Sequence, residues 1–138
     1  MAFVRSRPVT LRMTDAAGVI FFAEQLALVH DVEEELFAHV GFPVGAVLRA
    51  GEIAFPIVRC ETEYLGPLVV DDVVTVTLTI ARLGETSFSV AHTLSKGSAL
   101  VGRGLIVHAC IDRRTRQKAT LPNGLRAALA PLVGGSSS

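Results

Sequence analysis

The chain predicts an α+β fold in which an antiparallel sheet wraps around one long helix. Three features carry that expectation: one stretch of helical periodicity at residues 22–40, four later stretches rich in Val, Ile, Thr and Phe, and short turns between the last three of those. Residues 4–12 alternate loosely between polar and apolar and read as a first strand, broken by small and polar residues at 14–18. At 100° per residue, Leu28, Val29, Val32, Leu36, Phe37 and Val40 share one arc of the following helix, with Asp31, Glu34 and Glu35 opposite. Gly41 should end the helix and Pro43 should prevent its restart. Residues 45–51 read as a connector with about one helical turn.

Residues 54–64, 73–82, 87–94 and 100–111 then read as strands. They are bounded by Gly66-Pro67 with Asp71-Asp72, by Gly84-Glu85, by Lys96-Gly97 and by Asp112-Arg113. The short turns between the last three make an antiparallel meander, and residues 123–132 suit a short closing helix. A single amphipathic helix cannot cover both faces of a sheet, so the economical packing curls the sheet around it. That is the hotdog arrangement, and it leaves a sheet edge for a second subunit to extend. One domain over residues 1–133 is expected, with a flexible tail at 134–138.

The bulk properties remove several functions. Lys plus Arg equals Asp plus Glu at 13 each, which denies a nucleic-acid binder its basic excess. Mean hydropathy of +0.49 is high for a 138-residue domain, so part of the apolar surface should face other copies of the chain. No run approaches membrane-spanning length and no leader pattern opens the chain, so no membrane partner and a cytoplasmic location are expected. Cys60 and Cys110 sit in apolar strand-like runs and read as small buried hydrophobes, without zinc-site spacing.

Chemistry concentrates where the first strand gives way to the helix, at Thr14-Asp15-Ala16-Ala17-Gly18-Val19-Ile20-Phe21-Phe22. A helix N-terminus offers unpaired N–H groups and partial positive charge, which can polarise a thioester carbonyl. Asp15 can approach the same carbonyl as nucleophile or as the base that activates water. The residue types leave a second role open, in which Asp15 caps the loop or the helix.

Asp15-Ala16-Ala17-Gly18-Val19-Ile20-Phe21-Phe22 resembles the signature of the 4-hydroxybenzoyl-CoA thioesterase family. The similarity continues through Pro56-Ile57-Val58, Cys60, Tyr64, Asp71-Asp72-Val73 with Thr75, Ser87-Phe88 and His92, covering roughly residues 5–111. The resemblance implies a hotdog acyl-CoA thioesterase that acts on an aromatic acyl group. It places the catalytic aspartate on Asp15, a polarising backbone N–H on Phe22, and substrate contacts on Gly18, Glu24 and His30. It also implies no metal or cofactor, coenzyme A being part of the substrate, and a homotetramer or dimer with sites between subunits.

Two departures bear on the acyl group. Glu24 stands where relatives usually carry Asn, and His30 where a carboxylate is common, fifteen residues after Asp15. His30 lies at the margin of the apolar arc, either reaching the acyl pocket or bonded to Glu33 or Glu34. Glu33 projects close to the same arc, pairing with His30, lining a polar pocket or marking where the helix surfaces. For the CoA phosphates the available cations are Arg59, Arg82, Lys96, Arg103 and the run Arg113, Arg114, Arg116, Lys118, although that run also suits a solvated turn. His92 and His108 have no nucleophile–base spacing and are expected in strand-face structural roles.

Dihydroxynaphthoyl-CoA and short or branched aliphatic acyl-CoA remain alternative substrates. Outside this reaction stand an acyl-carrier-protein thioesterase and a non-catalytic hotdog binding protein. A hotdog dehydratase would need a His working with the acid, and none follows Asp15 closely.

Overall fold

In the computed structural model, which describes residues 1–134, the elements run β1 (Phe3–Pro8), a 3-10 turn (Leu11–Met13), α1 (Phe22–His39), α2 (Val44–Ala50), β2 (Ile53–Ala54) and β3 (Ile57–Tyr64). They continue with β4 (Val73–Leu83), β5 (Ser87–Lys96), β6 (Ala99–Ala109), β7 (Ile111–Asp112), α3 (Asn123–Leu129) and a closing 3-10 turn (Ala130–Leu132). Five strands form one antiparallel sheet in the order β1-β4-β5-β6-β3, while β2 and β7 pair separately. The meander β4-β5-β6 is as expected.

Four boundaries differ from expectation, each for a local reason. The first strand stops at Pro8 rather than residue 12, because Val9 makes the last main-chain bonds to Asp71 and Asp72 and the chain then enters the 3-10 turn at Leu11–Met13. Pro43 does not prevent a second helix. It sits at the N-cap of α2 with φ −57, already suited to helix entry, and Gly51 closes that helix at φ 71. The strand expected over 54–64 is split by Pro56, and the one over 100–111 by Cys110, which leaves the ladder to bond Thr86 O at 2.8 Å. Gly134, the first residue of the expected tail, donates its N–H to Ile80 O at 3.2 Å. The rest of that tail, 135–138, lies outside the described residues.

The core forms where α1 meets the sheet. Leu28, Val29, Val32, Leu36 and Phe37 of α1 are buried with Val74, Val76, Leu78 and Ile80 of β4 and with Phe88, Val90 and Leu94 of β5. The period-2 pattern of β4 sends these four residues inward and Thr75, Thr77 and Thr79 to the other face. Gln25 and Glu33 share the buried face of α1, at 1% and 0% exposure, and each has its bonding partners on the sheet. Cys110 is buried as expected, but Cys60 is exposed because β3 is an edge strand.

The two sheet edges are unlike. β1 carries Arg5, Arg7 and Pro8, charges and a proline of the kind that block strand addition. β3 is longer, almost wholly exposed, and presents Ile57 and Val58. Of the two, β3 is the edge open to pairing.

His92 is 1% exposed, and burial pushes its pKa down from 6.5 to about 4. The folded protein therefore keeps His92 neutral where the unfolded chain binds a proton. The resulting loss of stability develops as pH falls from 6.5 toward 4 and reaches about 3 kcal/mol. His92→Asn should flatten this acid limb when urea unfolding is compared at pH 7 and pH 4.5. Equal acid sensitivity in the two proteins would contradict it.

Candidate functional site

Asp15 sits on a loop pinned at its base. Thr14 bridges Ile20, the Asp15 N–H donates to Val19 O at 3.0 Å, and the Phe21 N–H donates to Met13 O at 2.8 Å. The same loop is tied to the chain before β4 through Ile20 N–H to Leu68 O at 2.8 Å and a Val19–Val69 bridge. Gly18 makes the tight return possible at φ +81, a left-handed conformation costly for other residues, and its N–H donates to Asp15 O at 2.9 Å. One carboxylate oxygen of Asp15, Oδ1, accepts the Ala17 N–H at 2.8 Å. The side chain is exposed, and Oδ2 has no partner among the described residues.

The loop delivers the chain into α1 at Phe22. The N-cap is Phe21, with no side-chain cap, so Asp15 does not cap the helix. The Glu24 N–H bonds Phe21 O at 2.8 Å, whereas among the described residues neither the Phe22 nor the Ala23 N–H has a partner. The loop thus carries a carboxylate oxygen without a partner among the described residues, and leads into the positive end of an 18-residue helix with two unbonded backbone donors. Groups of these two kinds can attack a carbonyl and hold the resulting oxyanion where both reach it.

The other expected residues fall in two places. Glu24, in the first turn of α1, is paired with Arg12 at 2.7 Å. His30 lies two turns further on, exposed, and bonds neither Glu33 nor Glu34 among the described residues. It lines the mouth of a largely apolar cavity of 370 Å³ between α1, α2 and the start of β3, with Phe37, Phe42, Val47, Phe55 and Ile57. His108 forms part of the wall. Neither Asp15 nor Phe22 lines this cavity.

Glu33, expected to pair with His30, to line a polar pocket or to mark where the helix surfaces, is bonded instead to His108, which was expected in a structural strand role. The Glu33 carboxylate is fully buried and pairs through Oε1 with His108 Nε2 at 2.9 Å, while His108 Nδ1 meets Phe55 O at 2.9 Å. Burial alone would lower the His108 pKa, but the hydrogen bond and charge of Glu33, helped by the Phe55 carbonyl, outweigh it and raise the value. The sequence pointed to Glu33 as an acid on an apolar arc; its partner was hidden 75 residues away.

Of the candidate phosphate-binding cations, Arg59, Lys96 and Arg103 are engaged by Glu61, Asp72 and Glu63. Asp112 Oδ1 accepts the Arg114 and Thr115 N–H groups, which makes the basic run after β7 a hydrogen-bonded turn. Tyr64 was expected only as part of a motif. Its hydroxyl donates to Phe22 O at 2.6 Å, joining the end of β3 to the start of α1.

The antiparallel sheet with its 18-residue helix, together with the family and structural matches that follow, defines the class: a hotdog-type acyl-CoA thioesterase. The family model described as the thioesterase-like superfamily matches residues 9–129, and the chain belongs to that family. It is similar to a 1,4-dihydroxy-2-naphthoyl-CoA hydrolase from Nostoc punctiforme, with 30% identity over 89% of this chain and 83% of that protein. An enzyme of the same name from a Synechococcus strain is 34% identical over 87% of this chain and 84% of its own. Among solved structures, a 1,4-dihydroxy-2-naphthoyl-CoA thioesterase from Synechocystis superposes with a TM-score of 0.90 at 29% identity, covering 96% of this chain and 98% of the other. The resemblance to single-ring 4-hydroxybenzoyl enzymes therefore holds for the superfamily and not for that member of it.

Proposed function

We propose that the protein hydrolyses an aromatic acyl-CoA with a fused two-ring acyl group of the 1,4-dihydroxy-2-naphthoyl kind, giving the free acid and CoA. The observation that carries this reading is the shared name of relatives at 30% and 34% identity across most of both chains. Asp15 acts on the thioester carbon through Oδ2, directly or by taking a proton from water. The Phe22 N–H steadies the developing oxyanion. The C–S bond breaks, CoA leaves as the thiol after gaining a proton, and the oxygen of water ends in the acid. No metal or other cofactor takes part in this reading, and Gly18 serves by letting the loop present Asp15.

The working unit in this reading is an oligomer of the single domain at residues 1–133, a dimer or tetramer acting in the cytoplasm. The exposed edge of β3 supports it. Two copies pairing antiparallel along β3 about a two-fold axis set the Ile57 end of one beside the Tyr64 end of the other. Tyr64 is bonded to Phe22. The cavity at the Ile57 end of the second copy, with the partner subunit's His30 at its mouth, then opens toward Asp15 and Phe22. Its volume of 370 Å³ falls in the range of small-ligand pockets, and its aromatic lining suits a planar ring system.

The test is CoA release from a panel of naphthoyl, hydroxybenzoyl, benzoyl and short aliphatic thioesters. Two-ring esters should exceed single-ring esters in kcat/KM by about tenfold or more, the range a pocket of fixed width supplies. His30→Ala should narrow that margin with little change toward the aliphatic esters. A preference for short aliphatic chains, or for acyl-carrier-protein esters, would overturn the substrate assignment.

A further inference from the structure

The start of α1 lacks a side-chain cap, yet it is held to the sheet by a partly buried polar network. Gln25, one turn into the helix and 1% exposed, donates from Nε2 to Thr62 Oγ1 at 2.8 Å and to Glu63 O at 3.0 Å. Thr62 Oγ1 also meets His92 Nε2 at 2.9 Å. Beside this, the Tyr64 hydroxyl holds Phe22 O. The strand partners of α1 here, Thr62, Glu63 and Tyr64, all lie in the C-terminal half of β3, and His92 backs them from β5.

Two glycines on β6 make room for the network. A Cβ at Gly102 would stand 2.7 Å from Gln25 Nε2, and one at Gly104 would stand 2.6 Å from His92 Cε1 and collide with Glu61 O. The sheet thus gives up two side chains on its helix-facing side so that an amide and an imidazole can lie there. Apolar residues packed across the same interface would hold the helix with less directional control, since hydrogen bonds fix rotation and not only distance.

We propose that Gln25, through Thr62, and Tyr64, through the Phe22 carbonyl, are positioning residues that aim the Phe22 N–H at the thioester carbonyl. The inference rests on the proposed role of that N–H. Neither side chain touches the reacting atoms; they fix the axial rotation and height of the first turn of α1 on the sheet. Because the anchoring strand is the open edge, strand pairing with a second copy and the aim of the donor are set by the same eight residues.

The experiment measures CoA release from an aromatic acyl-CoA by full-length Gln25→Leu, Tyr64→Phe and Gly102→Ala proteins, beside Asp15→Asn. Gly102→Ala displaces the Gln25 side chain without changing it, and Tyr64→Phe removes only a half-exposed hydroxyl, so the outcome does not hang on one fragile variant. Each should lower kcat by about tenfold with KM within about twofold, below the roughly hundredfold loss from deleting an oxyanion donor outright. Folded Gln25→Leu and Tyr64→Phe proteins with normal kcat, beside an inactive Asp15→Asn, would overturn the positioning role and leave the site reading intact. A fall in kcat explained by the unfolded fraction in thermal melts would likewise overturn it in favour of a scaffold role. Full turnover by Asp15→Asn would remove the site reading itself, and this inference with it.

Discussion

Asp15→Asn is expected to keep fold and assembly while lowering kcat by about a hundredfold or more, with a much smaller change in KM. The fold should survive because the only side-chain bond Asp15 makes among the described residues, from the Ala17 N–H to Oδ1, can be accepted equally by an asparagine oxygen. The loop is held by main-chain bonds and by Gly18, none of which the substitution touches. What is lost is the charge and basicity of Oδ2, the atom with no partner among the described residues. The check is steady-state CoA release together with circular dichroism and a thermal melt. Turnover within about threefold of the native protein would remove Asp15 from the chemistry, since general-base and nucleophilic carboxylates contribute far more.

His108→Leu should destabilise the protein by about 3–5 kcal/mol, the range for stranding one member of a buried ion pair. Glu33 is 0% exposed and its Oε2 already lacks a partner among the described residues, so removing His108 leaves the whole carboxyl uncompensated in the core. Combining it with Glu33→Leu should recover most of the loss, because two apolar side chains of similar volume need no mutual bond. Urea unfolding of the two single variants and the double variant measures the coupling. A double variant no more stable than His108→Leu would contradict the account. The pH dependence has a definite sign. With the folded pKa of His108 raised above 6.5, the pair contributes fully below pH 6.5 and its contribution is lost as pH rises through the folded value. Activity of the folded variants at the Asp15 corner should be affected less than by Asp15→Asn, as the pair borders the other end of α1.

Much of this was legible in the amino-acid order, and the misses have more than one cause. The apolar arc of α1 and the meander β4-β5-β6 are written in local periodicity, which survives without knowledge of neighbours. Of the misplaced boundaries, Pro56 interrupts a strand that composition read as continuous, Pro43 opens a helix it was expected to prevent, and the others lie at Pro8 and Cys110, where the chain turns away from its ladder. Cys60 was read as buried from the strand-like run around it, but that run is an edge strand, whose residues are almost all exposed.

By itself the sequence determined the α+β class, the helix entry at Phe22 and the acid seven residues before it, because each is encoded within a few consecutive residues. Only the tertiary structure decided which polar residues meet: Glu33 with His108, Gln25 with Thr62, and Tyr64 with Phe22. Those pairs are 75, 37 and 42 residues apart in the chain, and their contact depends on strand order and register. No local pattern carries that information. Hydrogen bonds of 3 Å or less are made or missed by where the sheet sets each strand beneath the helix.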